Sequence, residues 1–248
     1  MHTFPMIVPS GATAPASWHG RPLSAVLFDL DGTLLDTAAD IALALNRATA
    51  ERGWLPVPLD QVRTMIGRGS PVLIDRAAEY LGRQADPALH ATILARFFDF
   101  YGALEESGEC AARPYPGAAD ALRALHGAGL RIAVVTNKWH RFATSLLHHQ
   151  GLAAWVDCVV GGDTCERRKP DPQPLIHACT VLGVSAAEVL MVGDSTNDVQ
   201  AARGAGIPIV CVPHGYNEGQ DPRSLPCDLL LEGLGVLPGL LLPAAANG

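Results

Sequence analysis

Four short stretches combine carboxylates, hydroxyls and ammonium groups at spacings that suit work on an anionic substrate. In Asp29-Leu30-Asp31-Gly32-Thr33, two carboxylates are separated by one residue, next to a glycine that permits close backbone approach. One carboxylate can attack as an anion while the other, held protonated, donates to a leaving oxygen. A solvated acidic turn is the competing explanation for the same residues. In Thr136-Asn137-Lys138, a hydroxyl and an amide can bind non-bridging phosphate oxygens or can cap a helix. In Arg167-Arg168-Lys169-Pro170-Asp171-Pro172, a rigid turn can hold Lys169 against a phosphoryl group; an exposed basic turn would look the same. In Gly193-Asp194-Ser195-Thr196-Asn197-Asp198, the aspartates are four apart, so a helix starting between them lets both face one centre. Oxygen donors of this kind suit magnesium, whereas a capping turn accounts for one of the two aspartates.

The elements needed to position these groups follow from the apolar pattern. Ala25-Val26-Leu27-Phe28 is a continuous apolar run, the pattern of a strand buried on both faces, and it ends at Asp29. Further strands are expected at Ile132–Val135, Val156–Val160, Val189–Val192 and Ile207–Val212, separated by helical patterns around 175–182 and 199–205. Such alternation implies right-handed βαβ units in an open parallel sheet, whose ligands bind beyond the carboxyl ends of the strands. All four clusters fall just after or near such ends.

Between about Asp60 and Cys110 only helical periodicity is present. Thr37-Ala38-Ala39-Asp40 reads as a capping box, and Ser70-Pro71 as a helix start. The expected organisation is a loose extension over 1–22, an α/β core over 23–38 and 112–248, and an all-helical insert over 39–111. His214 and Tyr216 lie in a late loop that can either approach the site or pack elsewhere.

Composition narrows the partners. Hydrophobic residues make up 48% of the chain and charged residues 17%, enough for an extensive core. The formal net charge of −7, with no basic stripe, argues against nucleic acid. The six cysteines contain no C-x-x-C pair, so they are read as reduced, small apolar residues rather than as zinc ligands. The N-terminal stretch lacks the pattern of a signal peptide, and no apolar run is long enough to span a bilayer. A cytoplasmic protein with neither membrane nor nucleic acid as partner is therefore expected, either monomer or homodimer, and the four clusters point to a small-molecule phosphate ester as its ligand.

Taken in order, Phe28-Asp29-Leu30-Asp31-Gly32-Thr33, Thr136-Asn137-Lys138, Lys169-Pro170 and Gly193-Asp194-Ser195-Thr196-Asn197-Asp198 resemble the motifs of the haloacid dehalogenase-like hydrolases, in the subgroup with a helical cap. The resemblance implies a Rossmann-like three-layer parallel-sheet core of α/β class with an inserted helical cap. It further implies Mg2+-dependent hydrolysis of a phosphate monoester. Asp29 would be the nucleophile and Asp31 the acid/base, while Thr33, Thr136, Asn137 and Lys169 would hold the phosphoryl group. Asp29, the backbone carbonyl of Asp31, Asp194 and Asp198 would surround the metal. Ile66-Gly67-Arg68-Gly69, Gly161-Gly162-Asp163 and His214-Gly215-Tyr216-Asn217 resemble the phosphoglycolate phosphatase branch, where 2-phosphoglycolate is the substrate. Arg68 is then expected to pair with the substrate carboxylate. Phosphatases of other sugar or amino-sugar phosphates, and phosphomutases, share the same motifs.

Overall fold

The computed structural model of the protein describes residues 15–244. Six parallel strands form the central sheet: β1 Ala25–Phe28, β2 Arg131–Val135, β3 Cys158–Val160, β4 Val189–Gly193, β5 Ile209–Cys211 and β6 Leu229–Leu230. Their spatial order is β6-β5-β4-β1-β2-β3, so the direction of winding reverses at β1. A crevice opens beside that point, beyond the carboxyl ends of the strands.

Alternation along each strand builds two cores. Val26 and Phe28 of β1 face one layer with Ile132, Val134, Leu190 and Val192, against helices α5 (Ala118–Gly127) and α6 (His140–His149). Ala25 and Leu27 face the other layer with Ala133, Val135 and Met191, against α7 (Gln173–Leu182) and α8 (Thr196–Ala205). Both faces are covered, which is why the strands read as unbroken apolar runs. Each fully buried Leu, Ile or Phe contributes about 1.5–3 kcal/mol relative to exposure. These strands match the expected ones within two residues at most boundaries.

Between β1 and α5 the chain forms four helices: α1 Ala38–Ala50, α2 Leu59–Met65, α3 Ser70–Tyr80 and α4 Pro87–Ser107. Helix α4 packs along α1 and α3, with Ile93, Phe97 and Tyr101 on its buried face. The chain leaves the core at Leu35–Asp36 and returns at Arg113–Pro114, and these two segments pair antiparallel as a two-stranded hinge. Asp40 closes the same junction by accepting the amides of Ala111 and Ala112 at 2.7 and 2.9 Å.

Two local expectations need correction. The capping box at Thr37 does not form. The Thr37 hydroxyl donates instead to Asp31, and Asp40 is held by the returning strand. Residues 15–22, expected to be part of a loose extension, contain a hairpin pairing Ser17–Trp18 with Arg21–Pro22, with Trp18 buried. Residues 1–14 of that expected extension lie outside the described residues.

Candidate active site

One end of the crevice is built by adjacent strands. Phe28 of β1 is in register with Val192 of β4, and the amide of Asp29 donates to the Val192 carbonyl at 2.9 Å. Asp29 and Asp194 therefore emerge side by side. One oxygen each from Asp29, Asp194 and Asp198 lies within 4.8 Å of the others. Lys169 is sealed among them, its Nζ 2.8 Å from Asp29 Oδ1 and 2.7 Å from Asp198 Oδ1.

Each carboxylate has a different second partner. Asp194 accepts from the Thr33 hydroxyl at 2.9 Å and from the Tyr216 amide at 2.8 Å. This close packing requires glycine nearby: a Cβ on Gly32, whose φ is +91°, would lie 2.7 Å from Asp194 Oδ2, and one on Gly215 would collide with the same side chain. Asp198 completes a capping box with Ser195 at the start of α8 and accepts both the Ser195 hydroxyl and the amides of Asp194 and Ser195. The capping reading thus holds for Asp198, whose other oxygen is taken up by Lys169.

One ammonium among three buried carboxylates leaves an excess of negative charge. Burial, aided by Asp198, pushes Asp29 up to about 7 despite the opposing pull of Lys169. Burial, with Asp198 and Asp29 adding to it, also holds Asp194 well above the usual carboxylate range. Burial opposes the charge on Lys169, but Asp198 and Asp29 outweigh it and keep the lysine protonated. A divalent cation with oxygen ligands fits this surplus, with Asp29 and Asp194 as the carboxylates to hold it.

The opposite end of the site lies between core and cap. Asp31 Oδ1 accepts from the Thr37 hydroxyl at 2.7 Å, and Lys138 Nζ lies 3.2 and 3.3 Å from the two carboxylate oxygens. Thr136 accepts the Lys138 amide at 3.2 Å, which leaves its own hydrogen free to donate. Asn137 donates to the Gly67 carbonyl of the cap loop at 2.8 Å and to the Lys169 carbonyl at 2.9 Å, tying three motifs together. Asp29, Asp31, Thr136 and Asn137 all line a cavity of about 40 Å³ that the cap closes with apolar side chains such as Leu73 and Phe97.

The family model for haloacid dehalogenase-like hydrolases matches residues 26–212, a span that contains all four strand-end motifs. The chain belongs to this family. A phosphoglycolate phosphatase of Thiobacillus denitrificans is 42% identical over 214 residues, 86% of this chain and 93% of the relative. A plasmid-encoded phosphoglycolate phosphatase of Cupriavidus necator is 43% identical over 223 residues, 90% and 95% of the two chains. Among solved structures, a predicted phosphoglycolate phosphatase from Haemophilus somnus superposes with a TM-score of 0.82 at 29% identity, covering 88% of this chain and 97% of that one. As in other haloacid dehalogenase-like hydrolases, the core is an α/β Rossmann-like sheet, and the chain is a phosphatase of that family.

Within this hydrolase fold, the anticipated residues do not all meet at one point. Asp29, Asp31, Lys169, Thr136, Asn137 and Asp194 gather around the crevice. Thr33 turns to Asp194 and does not line the cavity. Arg68 also points elsewhere: its Nε is 3.0 Å from Glu218, which also pairs with Arg76 at 2.9 Å, and Arg68 is not a lining residue. Lys138 and Tyr101 line the cavity although neither had been given a role from sequence. Lysine after a strand is too common a pattern to mark one, and Tyr101 looks like any apolar face residue of a helix. Of the late-loop pair, Tyr216 reaches Asp194 through its amide, and His214 Nε2 is 3.2 Å from the Thr33 carbonyl.

Proposed function

We propose that the protein hydrolyses 2-phosphoglycolate to glycolate and phosphate, with Mg2+, through an aspartyl-phosphate formed on Asp29. The observation that carries this reading is the pair of carboxylates opening onto one cavity beneath the helical insert, Asp29 against Lys169 and Asp31 against Thr37 and Lys138. The relatives' activity supports the choice of substrate.

Asp29 attacks phosphorus, forming the acyl phosphate as the ester P–O bond breaks. Asp31, anchored by the Thr37 hydroxyl, gives its proton to the departing alkoxide, an assistance typically worth about 10²- to 10⁴-fold. Asp31 then takes a proton from the water that attacks the phosphoryl group, and phosphate leaves as Asp29 is regenerated. Lys169 and the Thr136 hydroxyl face the equatorial oxygens, where negative charge is concentrated during transfer. Bound Mg2+, held by Asp29 and Asp194 with the Asp31 carbonyl nearby, supplies the positive charge that keeps both carboxylates ionised beside the phosphate dianion. The helical segment 39–111 serves as the lid: it swings about the paired segments Leu35–Asp36 and Arg113–Pro114 to admit substrate and exclude bulk water.

The test is phosphate release from 2-phosphoglycolate with and without Mg2+. Release should require the metal and vanish in Asp29→Asn. Release that persists in Asp29→Asn at an undiminished rate would overturn the covalent route; failure of the intact protein to release phosphate would overturn the substrate.

A further inference from the structure

The cap lines the catalytic cavity without a single charge. Its contribution is apolar or neutral, including Ile66, Leu73, Phe97 and the aromatic ring of Tyr101. Arg68, the cap's nearest candidate for an anion, is engaged by Glu218 outside the lining. On the core side, Lys169 is held between Asp29 and Asp198. Among the described residues, Lys138 is therefore the only cation that lines the cavity.

Its placement is specific. The Lys138 side chain is 7% exposed, its Nζ rests 4.5 Å from the centre of the Tyr101 ring, and it bridges both oxygens of Asp31. An ammonium has three donors in rotatable positions, so contact with Asp31 does not exhaust it. Beside it, the fully buried Tyr101 hydroxyl has no hydrogen-bond partner among the described residues. Asp31 marks where the leaving oxygen must sit, and in phosphoglycolate the carboxylate is two bonds further on. A carboxylate that enters against the apolar side chains of the cap requires a counter-charge, because an unpaired buried anion is strongly disfavoured.

We propose that Lys138 selects the carboxylate of the leaving group, with the Tyr101 hydroxyl as a neutral second donor. The inference rests on the reading of 2-phosphoglycolate as substrate and names the residue that would make that choice. It also gives the motif Thr136-Asn137-Lys138 two functions on adjacent residues, one for the phosphoryl group and one for the organic group.

The experiment compares 2-phosphoglycolate with ethyl phosphate, which has the same two-carbon leaving group without the carboxylate. In Lys138→Met, kcat/KM on phosphoglycolate should fall about 10- to 100-fold more than on ethyl phosphate, chiefly through KM, the size expected for a charged hydrogen bond. Lys138→Arg should restore most of the preference. Because Met at a buried charged position can impair folding, Lys138→Gln is measured in parallel, with melting curves for each variant, and is read in the same way. Equal losses on both substrates would overturn the inference and reduce Lys138 to a positioning residue for Asp31, leaving the substrate reading intact. A wild-type protein with no preference for phosphoglycolate over ethyl phosphate would instead overturn the substrate reading, and this inference with it.

Discussion

The ammonium of Lys169 lies 2.7 Å from Oδ1 of Asp198, and both side chains are shut off from solvent. Asp198 is not on the cavity wall. It acts through the lysine and through α8, whose first turn it caps. The pair explains how a buried cation can be kept beside Asp29, the proposed nucleophile, while that carboxylate stays free to react.

Replacing Asp198 by Asn keeps the shape and removes the charge. Oδ2 would still find donors in the Ser195 hydroxyl and nearby amides, but Lys169 would be left with Asp29 alone. Breaking a buried ion pair by removing one partner costs about 3–5 kcal/mol, so Asp198→Asn should lower unfolding free energy by several kcal/mol in denaturant titrations. Phosphatase turnover should fall about 100-fold or more, because Lys169 then pairs more tightly with the nucleophile. A variant with unchanged turnover would show that Asp198 matters only as a helix cap.

How much of this was readable beforehand depends on the range over which each signal acts. β1 was legible because Ala25 to Phe28 are buried on both faces, and a two-sided core leaves an unbroken apolar run. β6 was not, since Leu229–Leu230 is only two residues long and partly exposed at the sheet edge. The four motifs were legible because each lies on one short segment at a strand end. Contacts across the fold leave no such local pattern. Tyr216 is 180 residues from Asp36, which its hydroxyl reaches, and the Thr37 hydroxyl was diverted from helix capping by Asp31. The partner of Arg68 was hidden for the same reason: its chemistry suits a carboxylate, and in the fold Glu218, 150 residues away, supplies one.

Tyr216 links Asp194 to the segment where the chain leaves the core. Its amide donates to Asp194, while its hydroxyl accepts the amides of Thr37 and Ala38 at 2.8 and 3.0 Å and donates to Asp36 at 2.8 Å. The hydroxyl therefore caps α1 in place of the missing capping box. Tyr216→Phe leaves the buried Thr37 amide without a partner and the Ala38 amide with only the Asp36 carboxylate at 3.3 Å, at a cost of about 1–3 kcal/mol. The melting temperature should drop accordingly. Magnesium affinity, measured by calorimetry, should change by less than about twofold, because the backbone contact to Asp194 survives. A large loss of metal binding would mean that the hydroxyl, rather than the amide, fixes Asp194.

Glu105, on α4, is 8% exposed, and its Oε1 has no hydrogen-bond partner among the described residues. Burial pushes its pKa from the ordinary 4.5 up to about 7, although the Ser145 hydroxyl, Lys138 and Arg141 pull the other way. The folded protein thus holds a proton that the unfolded chain has lost between about pH 4.5 and 7. Stability linked to this group is therefore greatest at the acid end, declines as pH rises through that window, and stays low above it. Glu105→Gln presents a neutral side chain at every pH and removes the cost of ionisation. At pH 8 the variant should be more stable than the wild type by about 1–3 kcal/mol, or roughly 2–12 °C in melting temperature for a chain of this size. At pH 5 the gap should nearly close. Melting curves at the two pH values decide the matter: a variant less stable at pH 8 would show Glu105 to be an ionised partner of Lys138 or Arg141 rather than a buried acid.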